Sequence, residues 1–242
     1  MNNHGNAYFT AQHGVGMLLA LMNKIIQFHQ QMVDGGWRER VSNVHSIALR
    51  NRKIGLLGYG AVNQHIHRFL AGFDLEFGIL RMDWSKQTEA TMTDTLRYNI
   101  DQLHSFLEWT DTLIISVPLT ELTKDMINAK ELELLGSAGI LVNLARGLVV
   151  DEESLYQACK EKTILGAAID VWYDYSPEPE EDGKKYPYSY PFHELENVVL
   201  SPHRAASPFN DLRRWDDVIE NIKRFASGRT DYLNIVSLVD EY

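Results

Sequence analysis

The sequence predicts an α/β fold, a doubly wound parallel sheet with helices on both faces. Three observations predict it. Short apolar runs alternate with stretches of helical periodicity along most of the chain. The first run, Lys53 to Leu57, ends in Gly58-Tyr59-Gly60 and passes into a helical pattern in which Val62, Ile66, Phe69 and Leu70 recur at three and four. The polar residues that stand out, Gly58, Arg81, Pro118, Arg146, Asp170 and His203, all fall at the carboxyl ends of the expected strands. In open parallel sheets that edge binds ligands.

The chain begins with a polar stretch. Gly14 to Val33 then reads as one helix with a broad apolar stripe, Val15, Leu18, Leu19, Met22, Ile25 and Ile26. It precedes the nucleotide unit, so it is expected to form a homodimer contact. Residues 1–50 are therefore read as N-terminal helix and connector, 51–207 as a dinucleotide-binding domain, and 208–242 as C-terminal helix and tail.

Strand, tight turn and helix around Gly58 are the opening of a Rossmann-type βαβ unit. Gly58 permits the turn, and Gly60 lets the backbone approach a pyrophosphate held on the positive end of the helix. Gly58, Tyr59, Gly60, Ala61, Val62 and Asn63 are the expected cofactor loop, with Asn63 in the place of the third glycine. The second strand, Leu75 to Met82, ends near Arg81. An acid there binds a ribose 2′-hydroxyl and a basic residue accommodates a 2′-phosphate. Arg81 therefore favours NADP over NAD, with Asp83 two residues on as an opposing charge.

Glu89 to Leu107 is polar, with a helix expected near Leu103. Strands are expected at Thr112–Val117, Ile140–Asn143, Ala167–Val171 and Val198–Leu200, and helices at Ala129–Leu135 and Glu152–Lys160. Tyr173 to Glu194, rich in tyrosine, proline and acids, reads as an ordered loop beside the site. Pro208 to Ser227 reads as an amphipathic helix, apolar at Leu212, Trp215, Val218, Ile219, Ile222 and Phe225.

Bulk properties narrow the function. A formal charge of −10 without a basic cluster argues against nucleic acid. The lone Cys159 rules out an intrachain disulfide framework and fits a reducing cytoplasm. No apolar run is long enough to span a membrane, and no Cys/His spacing suggests a metal site.

Five segments, Gly58-Tyr59-Gly60-Ala61-Val62-Asn63, Val117-Pro118-Leu119-Thr120, Val142-Asn143-Leu144-Ala145-Arg146-Gly147, Gly166-Ala167-Ala168-Ile169-Asp170-Val171-Trp172 and Ser201-Pro202-His203, occur in register. By them the chain resembles the D-isomer-specific 2-hydroxyacid dehydrogenases. The resemblance implies NAD(P)-dependent interconversion of a small 2-oxo acid and a D-2-hydroxy acid. Carried over, Arg146 anchors the substrate carboxylate and polarises its carbonyl. His203 is the general acid in reduction and the general base in oxidation. Val117, Pro118, Leu144, Ala145, Asp170 and Ala205 line the cofactor's site, with Arg146 and His203 at its nicotinamide end.

Two departures accompany the resemblance. Tyr175 stands where the family has the Glu that pairs with the histidine, so it is the expected third member of the catalytic group. A tyrosine orients an imidazole without adding a negative charge; Asp174, Glu178 and Glu180 are alternatives. The family's preceding substrate domain is not in this sequence, so cofactor binding with weak turnover is expected of the chain alone. Some relatives are dinucleotide-sensing corepressors, which makes a catalytically weak nucleotide sensor the rival reading. The substrate's side chain is not legible.

Overall fold

A computed structural model describes residues 5–38, 45–85, 95–206 and 215–235. Seven parallel strands form one sheet in the order β3-β2-β1-β4-β5-β6-β7. They are β1 (Lys53–Leu57), β2 (Glu76–Leu80), β3 (Thr95–Tyr98), β4 (Thr112–Ile115), β5 (Ile140–Asn143), β6 (Gly166–Ile169) and β7 (Val198–Leu200). The helices are α1 (Ala7–Met22), α2 (Ile25–Val33), α3 (Ala61–Leu70), α4 (Leu103–Trp109), α5 (Ala129–Leu135), α6 (Glu152–Lys160) and α7 (Asp216–Ala226). This is the doubly wound Rossmann-type fold that the alternation of runs predicts.

Strand side chains alternate between two apolar layers, as the pleat requires. Ile54, Leu56, Ile114, Ile140 and Val142 face a layer completed by Leu18 and Met22 of α1 and by Ile66 and Leu70 of α3. Leu57, Leu113, Ile115, Leu141 and Ile169 face the opposite layer, completed by Phe106, Leu132 and Leu155 of α4, α5 and α6. Helix starts are locally encoded. Asn128 and Glu131 cap α5 reciprocally, and Asp151 accepts the Ser154 amide at the head of α6. Cys159, on α6, is buried, and burial pushes its thiol up to about 12.

Three expectations need correction. The segment Gly14 to Val33 is two helices, because the backbone turns left-handed at Lys24 between α1 and α2. On α1, Leu18 and Met22 of the stripe are core residues and Val15 and Leu19 pack against them, so this part of the stripe is covered within the chain. On α2, by contrast, Ile25, Ile26, Met32 and Val33 are exposed. The polar stretch before Leu103 contains the edge strand β3, paired to β2 through Phe77↔Thr95 to Leu80↔Tyr98. None of its four residues is buried and two are exposed, so there is no buried alternation for a sequence reading to detect. Of the expected C-terminal helix, α7 is described and Leu212 lies outside the described residues. Trp215, Ile219, Ile222 and Phe225 are exposed around it.

One buried pair ties the α3 face to the glycine turn. The Tyr59 hydroxyl lies 2.7 Å from His67 Nδ1, and the imidazole packs against Phe77 at 4.1 Å between ring centroids. Burial lowers the His67 pKa from an ordinary 6.5 to about 4, because charging the ring there means desolvating it. A base with a depressed folded-state pKa favours folding while it is neutral. Its contribution is complete above the unfolded pKa and falls as the unfolded chain gains a proton that the folded one refuses. Stability should therefore decline between pH 6.5 and 4, by about 3 kcal/mol from this residue alone. His67→Gln keeps a polar partner for Tyr59 but does not titrate, and should flatten that limb in urea midpoints measured against pH. An unchanged slope would assign the acid loss elsewhere.

Candidate active site

A cleft of about 850 Å³ opens at the carboxyl edge of the sheet, between the turns that follow β1, β2, β4, β5, β6 and β7. Its first wall is the glycine turn. Gly58 has φ +81°, and a Cβ there would meet the Ser116 carbonyl oxygen and Val117 Cγ1 at 2.7 Å. Gly60 is extended, with φ −80°, and a Cβ would have no protein atom within 4 Å. The missing side chain at Gly60 thus leaves open cleft rather than relieving a protein contact. Beyond it lies the N-terminus of α3, which has no side-chain cap among the described residues and presents its first amides and the positive end of a helix dipole. These features fit a dinucleotide pyrophosphate.

Asn63 departs from the expected role. It is fully buried, and its amide nitrogen donates to the carbonyl oxygens of Gly58 at 2.6 Å and Leu57 at 3.2 Å. The side chain braces the underside of the turn instead of facing the cleft, because a residue in the first turn of α3 points back toward β1. Tyr59 contributes to the cleft wall, but its hydroxyl is turned inward to His67. Ala61 and Val62 line the cleft.

At the end of β2, Arg81 lines the cleft with its guanidinium 5.4 Å from the Trp84 ring centroid, and the Arg97 guanidinium lies 4.9 Å from the same ring. Arg81 Nη1 is buried without a hydrogen-bond partner among the described residues. A buried donor of that kind costs about 1–3 kcal/mol until an acceptor arrives, and an anionic group in the cleft is one acceptor that suits it.

The opposite end carries Val117, Pro118, Leu144, Ala145, Arg146, Asp170, His203 and Ala205, all on the same cleft wall. Asn143 fixes the turn after β5: its amide donates to the Arg146 carbonyl at 3.0 Å, and its carbonyl oxygen accepts the Ala145 amide at 3.0 Å. Arg146 Nη1 donates to the Ala145 carbonyl at 2.7 Å, which leaves the rest of the guanidinium fork for a carboxylate.

Asp170 organises the turn after β7. The buried carboxylate accepts the Ser201 hydroxyl, the Arg204 amide at 2.8 Å and the Ala205 amide at 3.1 Å. Between those anchors His203 is held in the left-handed region at φ +56°. A non-glycine residue adopts that backbone only where its surroundings impose it. Tyr175 lies outside the cleft and 57% exposed, with its hydroxyl 3.1 Å from His203 Nδ1 and accepting the Trp172 amide at 3.3 Å. Asp174, one of the alternatives, accepts the Ser176 amide at 2.8 Å in a local turn. With Nδ1 facing Tyr175, Nε2 is the ring atom left to serve a ligand.

Several wall residues lie outside the sequence-based set. Thr120 shares a hydrogen-bonded turn with Thr123, and Thr10 of α1 and Asn234 also line the cleft. The motif containing Thr120 marks its neighbourhood, whereas nothing local ties Thr10 or Asn234 to the strand ends.

Comparisons with known proteins show which family the chain is similar to. Residues 15–205 match the model for the D-isomer specific 2-hydroxyacid dehydrogenase, NAD binding domain. A glyoxylate reductase from Pyrococcus furiosus is 33% identical over 225 residues, which are 90% of this chain and 63% of that protein. The chain thus spans somewhat under two thirds of that relative's length. The NADPH-dependent glyoxylate/hydroxypyruvate reductase from Sinorhizobium meliloti, solved with NADP and malonate, is 30% identical with a TM-score of 0.74, over 92% of this chain and 65% of that one. A D-isomer specific 2-hydroxyacid dehydrogenase from Xanthobacter autotrophicus, solved with NADPH, shares the fold at a TM-score of 0.78 and 23% identity, over 100% of this chain and 92% of that one. The glycine turn, the Asp170-pinned loop and this match over most of the sequence lead to one statement: the chain belongs to the D-isomer specific 2-hydroxyacid dehydrogenase family, through its NAD-binding domain.

Proposed function

We propose that the chain carries the cofactor-binding and proton-transfer half of an NAD(P)H-dependent reductase of small 2-oxo acids such as glyoxylate or hydroxypyruvate. The observation that carries this reading is that Arg146 and His203 line the same cleft as the glycine turn. When bound, the nicotinamide cofactor supplies hydride. The residues of this chain do the rest. Arg146 binds the carboxylate through its fork and draws electron density from the adjacent carbonyl. His203 presents a proton from Nε2 to the substrate oxygen, and Tyr175 holds the ring by Nδ1. Conversely, His203 takes the hydroxyl proton in oxidation. Retention of both residues favours turnover over nucleotide sensing alone. A reducing cytoplasmic setting suits the single buried thiol.

The cofactor reading extends to the 2′-phosphate. Arg81 brings a buried, unpaired guanidinium nitrogen to the end of β2, and a phosphate dianion satisfies it where a hydroxyl does so weakly. NADP is therefore favoured over NAD. We also assign a homodimer contact to the exposed apolar side of α2, since α1 is already covered. Residues 51–207 form the dinucleotide-binding portion in this reading.

Gly60→Val should abolish binding of both cofactors in calorimetric titration, yet melt like the parent, because its Cβ projects into open cleft. Undiminished affinity would remove the glycine turn from the site. Arg81→Ala should lower the NADPH/NADH affinity ratio by about tenfold or more, the scale of one charge-assisted hydrogen bond. A constant ratio would mean that another group reads the phosphate.

In an actively reducing preparation, His203→Ala should cost about two to four decades in kcat on glyoxylate or hydroxypyruvate. Arg146→Ala should cost several kcal/mol in kcat/KM, since one side chain supplies both anchor and electrophile. Normal turnover by either variant would dismiss its role. Met32→Glu should convert a sedimenting dimer to monomer at micromolar concentration, and a parent that is already monomeric would exclude the α2 contact.

A further inference from the structure

One turn of α1 touches both walls of the nicotinamide end from behind. On one side, a Cβ at Gly14 would collide with the Leu144 side chain, so α1 lies directly against that cleft residue. On the other, His13 Nε2 lies 2.8 Å from Ser201 Oγ and 3.7 Å from Asp170 Oδ1. His13 and Ser201 are themselves outside the cleft wall.

With Asp170 ionised, the contacts allow one order of donors and acceptors. Ser201 has one hydroxyl proton, and the Asp170 carboxylate can only accept. The hydroxyl therefore donates to Asp170, Oγ becomes an acceptor, and His13 donates from Nε2. The order is His13 N–H to Ser201 O–H to Asp170. A donor behind a hydroxyl strengthens the bond that the hydroxyl gives. Asp170 holds the Arg204 and Ala205 amides at the same time, so its orientation sets that of the loop carrying His203. The Ser201 carbonyl is fixed as well, by the Trp172 indole N–H at 2.8 Å.

We infer that His13 is a positioning residue for the nicotinamide end of the cofactor site, acting through Ser201 on Asp170 and the 203–205 loop. This rests on the cofactor reading above. The plain competing role is a bond that merely fastens α1 to the sheet. That role predicts loss of stability without preference for one end of the cofactor.

The two are separated by titrating NADPH and 2′-phospho-ADP-ribose, which lacks nicotinamide, into the parent chain, His13→Ala, His13→Gln and Ser201→Ala. His13→Ala should weaken NADPH on the order of fivefold, the size of one lost hydrogen bond, and leave the fragment unchanged. Ser201→Ala should shift the ratio the same way. His13→Gln, which keeps a donor, should restore most of it. Each variant is its own reference, so general loosening lowers both affinities together. Equal weakening of both ligands, no change in either, or failure of His13→Gln to recover would overturn the assignment. A parent that binds neither ligand would instead refute the cofactor reading and this inference with it, and is told apart by the parent titration alone.

Discussion

A parallel sheet cannot be closed by hairpins. Every strand must be followed by a crossover that returns the chain to the starting edge, and every crossover must cover apolar surface on one face or the other. In this molecule the constraint is met by helices on both faces of seven strands, and six post-strand turns consequently meet at one edge. The cleft is thus a by-product of connectivity. What the sequence adds is the chemistry of those turns: glycines after β1, an arginine after β2, an arginine after β5, a carboxylate after β6 and a histidine after β7.

The two ends of the cleft are stabilised by different means. The glycine-turn end is mostly backbone, shaped by what Gly58 and Gly60 lack and braced beneath by Asn63. The other end is built from side chains that hold backbone, with Asn143 clasping the Arg146 turn and Asp170 clasping the His203 turn. Buried polar groups of this kind are safe only when fully partnered. Asp170 satisfies that condition with three donors, and the left-handed backbone at His203 persists because both of its flanks are fixed.

Much of this was legible in the sequence where cause and effect lie close together. The bounds of α5, β5, α6 and β7 follow from local caps and apolar runs, and the turn after β1 from two glycines. Legibility failed where the deciding interaction is distant or exposed. β3 is held by its ladder to β2 and not by its own composition. The break at Lys24 is hidden because apolar residues continue on both sides of it. Asn63 occupies a glycine's position in the motif, yet its side chain works downward into the strands. His13 meets Ser201 across 188 positions, a pairing that no local pattern announces.

The single cysteine also has an experimental meaning. Cys159 lies on the inward side of α6, in the apolar layer against the sheet and closed to solvent, and burial holds its thiol far above the ordinary range. The thiolate is the reacting species, so alkylating reagents reach this sulfur only when that layer parts. One covalent tag per molecule therefore clocks the opening of the α6 side of the core. Ligands that occupy the cleft can be ranked by how far they slow that clock, without any optical signal of their own.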